Sequence, residues 1–170
     1  NQDILAAYLS YQLTWKRLTA TAGGRYEHTF QKMKYYQAGR PDFSVGFDDV
    51  VPTVQLTYKI NDGSNVRAGY SMRISRPGIW YLDPYVDRNT PGYLSFGNPD
   101  LETEKSHSFN LSYSYFSAKF FMNLSAFYTF VNNSIESYSY LQNDTLCTTY
   151  ANIGKNRSTG LSGYVNYSPF

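Results

Sequence analysis

Apolar and polar residues alternate along most of this sequence, and this period of two constrains the fold more than any other feature. In the segment from Arg67 to Arg73, RAGYSMR, polar or small residues occupy every second position and mostly apolar residues lie between them. Successive side chains of a β-strand point to opposite faces, so this segment is expected to form a strand with one polar and one apolar face. The same alternation recurs at residues 5–15, 53–60, 109–115 and 120–130, and no comparable stretch has the period of a helix.

Short and long connections alternate between these predicted strands. Short turns are expected at Lys16–Arg17, Asn61–Ser64, Ser117–Ala118 and Gly154–Ser158. The Asn-Asp-Gly sequence in the second of them is a strong hairpin signal, because these residues tolerate positive φ. The longer connections span residues 29–49, 76–105 and 132–145, and loops of such length are usually functional. We therefore expect about eight antiparallel strands in an up-and-down meander.

The unequal connections and the composition indicate a β-barrel that crosses an outer membrane. Such barrels have short turns on one side and long loops on the other. Only 16% of the residues are charged, against roughly 25% in ordinary soluble chains, and 18% are aromatic. A low charge suits strands whose outer face meets lipid, and Tyr and Trp favour the membrane interface.

The predicted fold is therefore all-β, an antiparallel meander that forms a segment of a larger transmembrane β-barrel. We expect residues 1–170 to be a single barrel segment in the cell outer membrane, cut at both ends from a longer β-protein. The apolar face would contact outer-membrane lipid. The polar face would line the lumen with Gln12, Thr14, Arg25, Glu27, Gln55, Lys59, Arg67, Arg73, Asn110 and Asn123.

Two alternatives remain open on these patterns. About eight strands can also close a complete small barrel that acts as an adhesin or a structural anchor. A soluble, Tyr-rich β-domain that binds carbohydrate would have a similar composition, and it predicts a monomer in water without detergent.

Other classes of function find little support in the residues. The net charge of +2 comes from scattered Lys and Arg, which argues against nucleic acid as a partner. Cys147 is expected to be a strand residue, and His28 and His107 lie far apart in the sequence. Without a metal-binding motif or a pair of converging carboxylates, neither an enzyme nor a cofactor is expected.

The most specific part of the sequence is a long connection, SRPGIWYLDPYVDRNTPGYLSFGNPDLETE, from Ser75 to Glu104. Its four prolines remove backbone donors, so no strand is expected within it. With the preceding FDDVVPTVQLTYKINDGSNVRAGYSMRISRP, its WYLDPYV and GNPDLETE pieces resemble outer-membrane β-barrel proteins of the TonB-dependent receptor type found in Bacteroidetes. The later YANIGKNRSTGLSGYVNY resembles the strand-turn-strand that follows in the same family.

The resemblance implies a function as well as a fold. Such receptors are barrels of about 22 strands whose lumen is closed by an N-terminal plug. They take up large or scarce ligands with energy delivered through TonB. This sequence has no plug-like region and no recognisable TonB box. The expected function is therefore that of one part of a receptor or transporter barrel for an unidentified ligand, with the TonB complex engaged through an N-terminal part that this sequence lacks.

The long connection is expected to carry the ligand contacts. The candidate ligand-binding residues are Arg76, Trp80, Tyr81, Tyr85, Arg88 and Tyr93. The alternative is that they only pack and rigidify the loop. An isolated segment would also have two open strand edges and an exposed apolar face. It could curl into a smaller closed barrel, self-associate edge to edge with a second copy, or bury its apolar face in an oligomer.

Overall fold

The computed structural model describes residues 2–35 and 42–168, which form one curled half-barrel sheet. The described elements are β1 (Gln2–Trp15), β2 (Leu18–Met33), β3 (Phe43–Asn61), β4 (Ser64–Ser75), α1 (Ile79–Leu82), β5 (Asp87–Thr90), β6 (Tyr93–Ser95), β7 (Glu104–Phe116), β8 (Phe120–Gln142) and β9 (Thr145–Tyr167). The strand order is β1-β2-β3-β4-β7-β8-β9-β6-β5. The long strands form an antiparallel meander, and the short strands β5 and β6 belong to the connection between β4 and β7. The predicted all-β meander is confirmed.

The strand register keeps apolar residues on one face and polar residues on the other. Val54 pairs with Tyr70, Tyr70 with Phe109, and Phe109 with Tyr128, so the apolar face is continuous from β3 to β8. The register also places all ten residues of the predicted polar face together on the opposite side of the sheet. The two predicted faces are therefore confirmed.

Aromatic rings concentrate in a band on the apolar face. The ring of His107 stacks on Phe130 with centroids 4.9 Å apart and on Tyr70 with centroids 6.1 Å apart. The Tyr70 hydroxyl and His107 Nδ1 are 2.9 Å apart and hydrogen-bonded. Phe109 and Tyr128 extend the cluster. We call these five residues the upper aromatic band.

The last predicted turn is wrong. Strand β9 runs without interruption through Gly154–Ser158, and the turn lies instead at Asn143 and Asp144, where φ is 49° and 57°. The polar sequence GKNRS begins with a glycine and resembles a loop. Its backbone nevertheless pairs with β8, across two register shifts near Val131 and Ser134. Most of the expected 132–145 loop is therefore strand. The single strand β9 takes the place of the two strands expected on either side of the predicted turn, so the meander has one long strand fewer than predicted.

The two edges of the long meander do not meet within the described residues. Strand β1 pairs only with β2, and β9 pairs on its outer side only with β6, at Leu146–Thr148. The alternative of a complete small barrel is therefore not supported, because that barrel would need β1 and β9 to pair. Open edges offer unpaired backbone groups, so self-association of the isolated segment stays a prediction. No helix in residues 2–35 and 42–168 is long and apolar enough to cross a membrane.

Candidate functional site

The connection between β4 and β7 folds back onto the polar face of the sheet. Leu82 and Leu101 of this connection are buried against Phe47 of β3, and Ile135 and Tyr150 pack around them. The connection is therefore a folded cap that shares a small core with the sheet. We call residues 76–103 the cap.

The cap contains two short strands, so the expectation that this segment has none is wrong. Thr90 of β5 pairs with Tyr93 of β6, and Leu94 of β6 pairs with Cys147 of β9 in parallel. Proline cannot donate to a ladder, and the four prolines all lie outside the paired stretches. Gly92, with φ of 75°, makes the turn between β5 and β6.

The GNPD sequence closes the cap through backbone hydrogen bonds. The Gly97 N–H donates to the Asp83 carbonyl at 2.9 Å, and the Asn98 N–H donates to the Tyr81 carbonyl at 2.7 Å. The Asn98 side chain also donates to the Tyr150 carbonyl at 2.9 Å. This sequence, which carried part of the family resemblance, therefore attaches the start of the cap to its end and to β9.

Replacing Gly97 with alanine is expected to loosen the cap. A Cβ at this position would lie 2.6 Å from the Asp83 and Tyr81 carbonyl oxygens, and backbone cannot yield as a flexible side chain does. Overpacking of this kind typically costs about 1–3 kcal/mol. The measurement is the rate of tryptic cleavage at exposed Arg88 in the full-length protein. Gly78→Ala is the matched control, because its Cβ would meet nothing closer than 3.7 Å.

Two asparagines of the β8–β9 hairpin clamp the end of the cap. Asn152 accepts a hydrogen bond from the Glu102 N–H at 2.8 Å and donates to the Glu102 carbonyl at 3.0 Å. Asn133 accepts from the Lys105 N–H at 3.0 Å and donates to the Thr103 carbonyl at 2.8 Å. The sequence alone did not indicate either residue. The partner of Asn152 is 50 positions away, and the partners of Asn133 are 28 and 30 positions away.

A buried cluster of charges holds the first residue of the cap. The Glu27 carboxylate of β2 forms ion pairs with Arg76 and with Arg25, whose Nε lies 2.5 Å from Glu27 Oε1. Asp49 of β3 lies 3.8 Å from Arg76 Nε and accepts a hydrogen bond from the Thr103 hydroxyl at 3.1 Å. The side chains of Glu27 and Asp49 are only 8% and 3% exposed. These residues join both ends of the cap to the sheet. We call them the mouth cluster: Arg25, Glu27, Asp49, Arg76 and Thr103.

A polar cavity of about 320 Å³ lies beside the mouth cluster. Its walls are Gln2, Gln31, Arg76, Pro77, Gly78 and Ile79. The buried Gln31 Oε1 and Arg76 Nε, and Thr29 Oγ1 nearby, make no hydrogen bond to any described residue. Buried polar atoms are normally satisfied by protein, water or ligand. The walls of the cavity therefore include one unsatisfied donor, Arg76 Nε, and one unsatisfied acceptor, Gln31 Oε1.

The six predicted contact residues divide into two groups. Arg76 is held in the mouth cluster, with 14% of its side chain exposed. Tyr81 packs edge to face on Tyr150, with ring centroids 4.7 Å apart, and is still 44% exposed. The other four also present exposed side chains: Trp80, Tyr85, Arg88 and Tyr93.

The whole chain, residues 1–170, matches the outer membrane protein beta-barrel family. The chain belongs to this family. Family membership places it in the cell outer membrane, so the alternative of a soluble carbohydrate-binding domain is not supported. No curated protein sequence matches the chain significantly.

Solved structures show the same fold at low sequence identity. The hemophore receptor HasR of Serratia marcescens, solved with its hemophore HasA and heme, superposes with a TM-score of 0.70 at 17% identity over 98% of this chain and 32% of HasR. The copper transporter OprC superposes with a TM-score of 0.70 at 16% identity, over 99% of this chain and 27% of OprC. BauA, the ferric preacinetobactin receptor of Acinetobacter baumannii, superposes with a TM-score of 0.66 at 21% identity, over 99% of this chain and 23% of BauA. The chain thus spans about a third or less of these proteins, which are receptors and transporters.

The position of the sheet in the membrane follows from its short turns. In outer-membrane barrels such turns face the periplasm, and each tilted strand needs about 9–11 residues to cross the bilayer. Counted from the turn at Ser117–Lys119, that distance along β7 and β8 ends at His107 and Phe130. The upper aromatic band therefore lies at the outer membrane interface, where aromatic rings are favoured. The cap and the upper halves of β8 and β9 extend beyond it.

Proposed function

We propose that this chain is part of an outer-membrane receptor barrel that takes up a scarce ligand with energy supplied through TonB. The observation that carries the proposal is the folded cap, which covers the polar, inward face of the sheet at its outer end. A packed core, hydrogen bonds and the mouth cluster hold the cap there. A rigid surface at the mouth of a lumen is what a receptor needs, because a preorganised site loses little entropy on binding.

The exposed residues of the cap are proposed as the ligand contacts. Trp80 is 76% exposed although it adjoins the core residue Leu82 on the same short helix. Tyr85, Arg88 and Tyr93 are exposed on the same connection. Trp, Tyr and Arg are the residue types that most often dominate binding energies. Arg76 and Tyr81 are assigned to positioning, since their side chains are engaged within the protein.

Ligand class is proposed from the solved relatives, whose names include heme, copper and ferric siderophores. The test uses cells that make the full-length protein and measures uptake of heme, Cu²⁺ and ferric enterobactin. Uptake of one probe is expected to depend both on the gene and on TonB. Uptake that depends on the gene but persists without TonB would contradict the proposal, as would a gene deletion without effect on any probe in TonB-competent cells.

Replacing Trp80, Tyr85, Arg88 and Tyr93 together with alanine is expected to weaken binding of the identified probe at least about thirtyfold. Loss of a single dominant contact costs about 2 kcal/mol or more. Binding to the purified full-length protein is measured by titration. Trp15→Ala is the control, because it removes an exposed aromatic residue at the periplasmic end of the same sheet. Equal affinity of the quadruple variant and the wild type would show that these residues are not the contacts.

A further inference from the structure

Three cations lie close together on the outward face of the sheet. Arg157 of β9 pairs with Phe130 of β8, which pairs with His107 of β7. Lys105 precedes His107 by two residues and Lys155 precedes Arg157 by two, so both point to the same face as their aromatic neighbours. Neighbouring strands are about 4.8 Å apart, which puts the three side chains within roughly 10 Å of one another. We call Lys105, Lys155 and Arg157 the outer basic patch.

The patch lies at the level of lipid headgroups. His107 and Phe130 mark the outer interface, at about 9–11 residues from the periplasmic turn. Arg157 is level with them, and Lys105 and Lys155 are one step farther out. The patch continues directly from the upper aromatic band, which is part of the lipid-facing surface.

The charges of the patch are uncompensated. Lys105, Lys155 and Arg157 are exposed, and none forms an ion pair with a carboxylate in the part of the chain that the structure describes. The neighbouring Glu104 points to the other face, where it accepts a hydrogen bond from the Ile135 N–H at 2.6 Å. Three neighbouring cations without a carboxylate partner are complementary to an anion that the membrane itself supplies.

We propose that the outer basic patch binds the phosphate groups of phosphorylated lipids in the outer leaflet of the outer membrane. The guanidinium of Arg157 suits a bidentate contact with phosphate oxygens, and the two ammonium groups supply point charges on either side. The acyl chains of the same lipid would lie against the upper aromatic band and the apolar face below it. The site holds the barrel at a fixed depth and is separate from the ligand contacts on the cap.

The test measures lipid binding to the full-length protein in nanodiscs of phosphatidylcholine. A purified, phosphorylated outer-membrane glycolipid is titrated in, and bound copies are counted by native mass spectrometry. The variant Lys105→Gln, Lys155→Gln, Arg157→Gln is expected to bind it about a hundredfold more weakly, since each surface cation contributes roughly fivefold to the attraction of anionic lipid. The matched control is Lys59→Gln, Arg67→Gln, Arg73→Gln, which removes the same charge from the inward face and is expected to bind normally.

Two further measurements keep the proposal open to refutation if the first variant folds poorly. Lipid binding to the wild type is expected to fall steeply as salt rises from 0.05 to 0.5 M, because exposed charges are screened. Inorganic phosphate at millimolar concentration is expected not to displace the lipid. Equal losses in both triple variants, binding that is independent of salt, or displacement by inorganic phosphate alone would each overturn the assignment to lipid.

Discussion

Replacing Glu27 with alanine is expected to destabilise the outer end of the protein by about 3 kcal/mol, at the lower end of the range for breaking a buried ion pair. The substitution removes the main partner of the buried Arg76 side chain and leaves it only the longer ion pair to Asp49, at 3.8 Å. We expect a cost at the lower end of this range because Arg25, the second partner of Glu27, is half-exposed, so that solvent can reach the cluster. The first consequence is release of the cap from β2.

Hydrogen exchange of the cap amides in the full-length protein measures this release. The control is Glu102→Ala, an acid-to-alanine change in the same cap whose hydrogen bonds are made by its backbone. Adding Arg76→Ala to the Glu27 variant is expected to cost less than the sum of the two single changes, because the unpaired buried charge is removed. Strict additivity of the two changes would mean that the ion pair does not hold the cap.

Local alternation was sufficient to predict the faces of the sheet. Each of Gln55, Arg67 and Asn110 lies on the predicted side, because a strand with one apolar face has only one register that keeps that face together. The prediction failed where strands leave the membrane. Beyond Val131 the β8–β9 hairpin extends past the upper aromatic band and has no lipid-facing surface to maintain, although Cys147 and Thr149 of β9 are buried. Polar and glycine residues are therefore tolerated in it, and the alternation no longer marks a strand.

The candidate site was only partly predictable for a related reason. The aromatic residues and prolines of the cap are adjacent in sequence, so a compact loop was expected from them. The mouth cluster instead joins Glu27 to Arg76 across 49 positions, and Asn152 reaches Glu102 across 50. Contacts of this kind depend on the register of β2, β3 and β9, which no short motif specifies. The RISRP and GNPDLETE motifs carried the family resemblance in the sequence. The contacts by which they attach the cap to the sheet are visible only in the structure.

Replacing Leu124 with arginine is expected to destabilise the barrel in lipid by about 2–4 kcal/mol, the cost of a cation on the lipid face near the bilayer midplane. Leu124 is 45% exposed on the apolar face, between Tyr113 and Gly163 in register, and lies about halfway between the periplasmic turn and the upper aromatic band. The measurement is reversible urea unfolding of the full-length protein in phosphatidylcholine vesicles. Ser125→Arg is the control, because the next residue along β8 points to the polar face, where its hydroxyl lies 2.7 Å from that of Ser162. The polar, inward face accepts the second arginine with little loss, so the difference between neighbouring positions reports which face meets lipid. Equal destabilisation by both variants would mean that the sheet is not embedded with its apolar face outward.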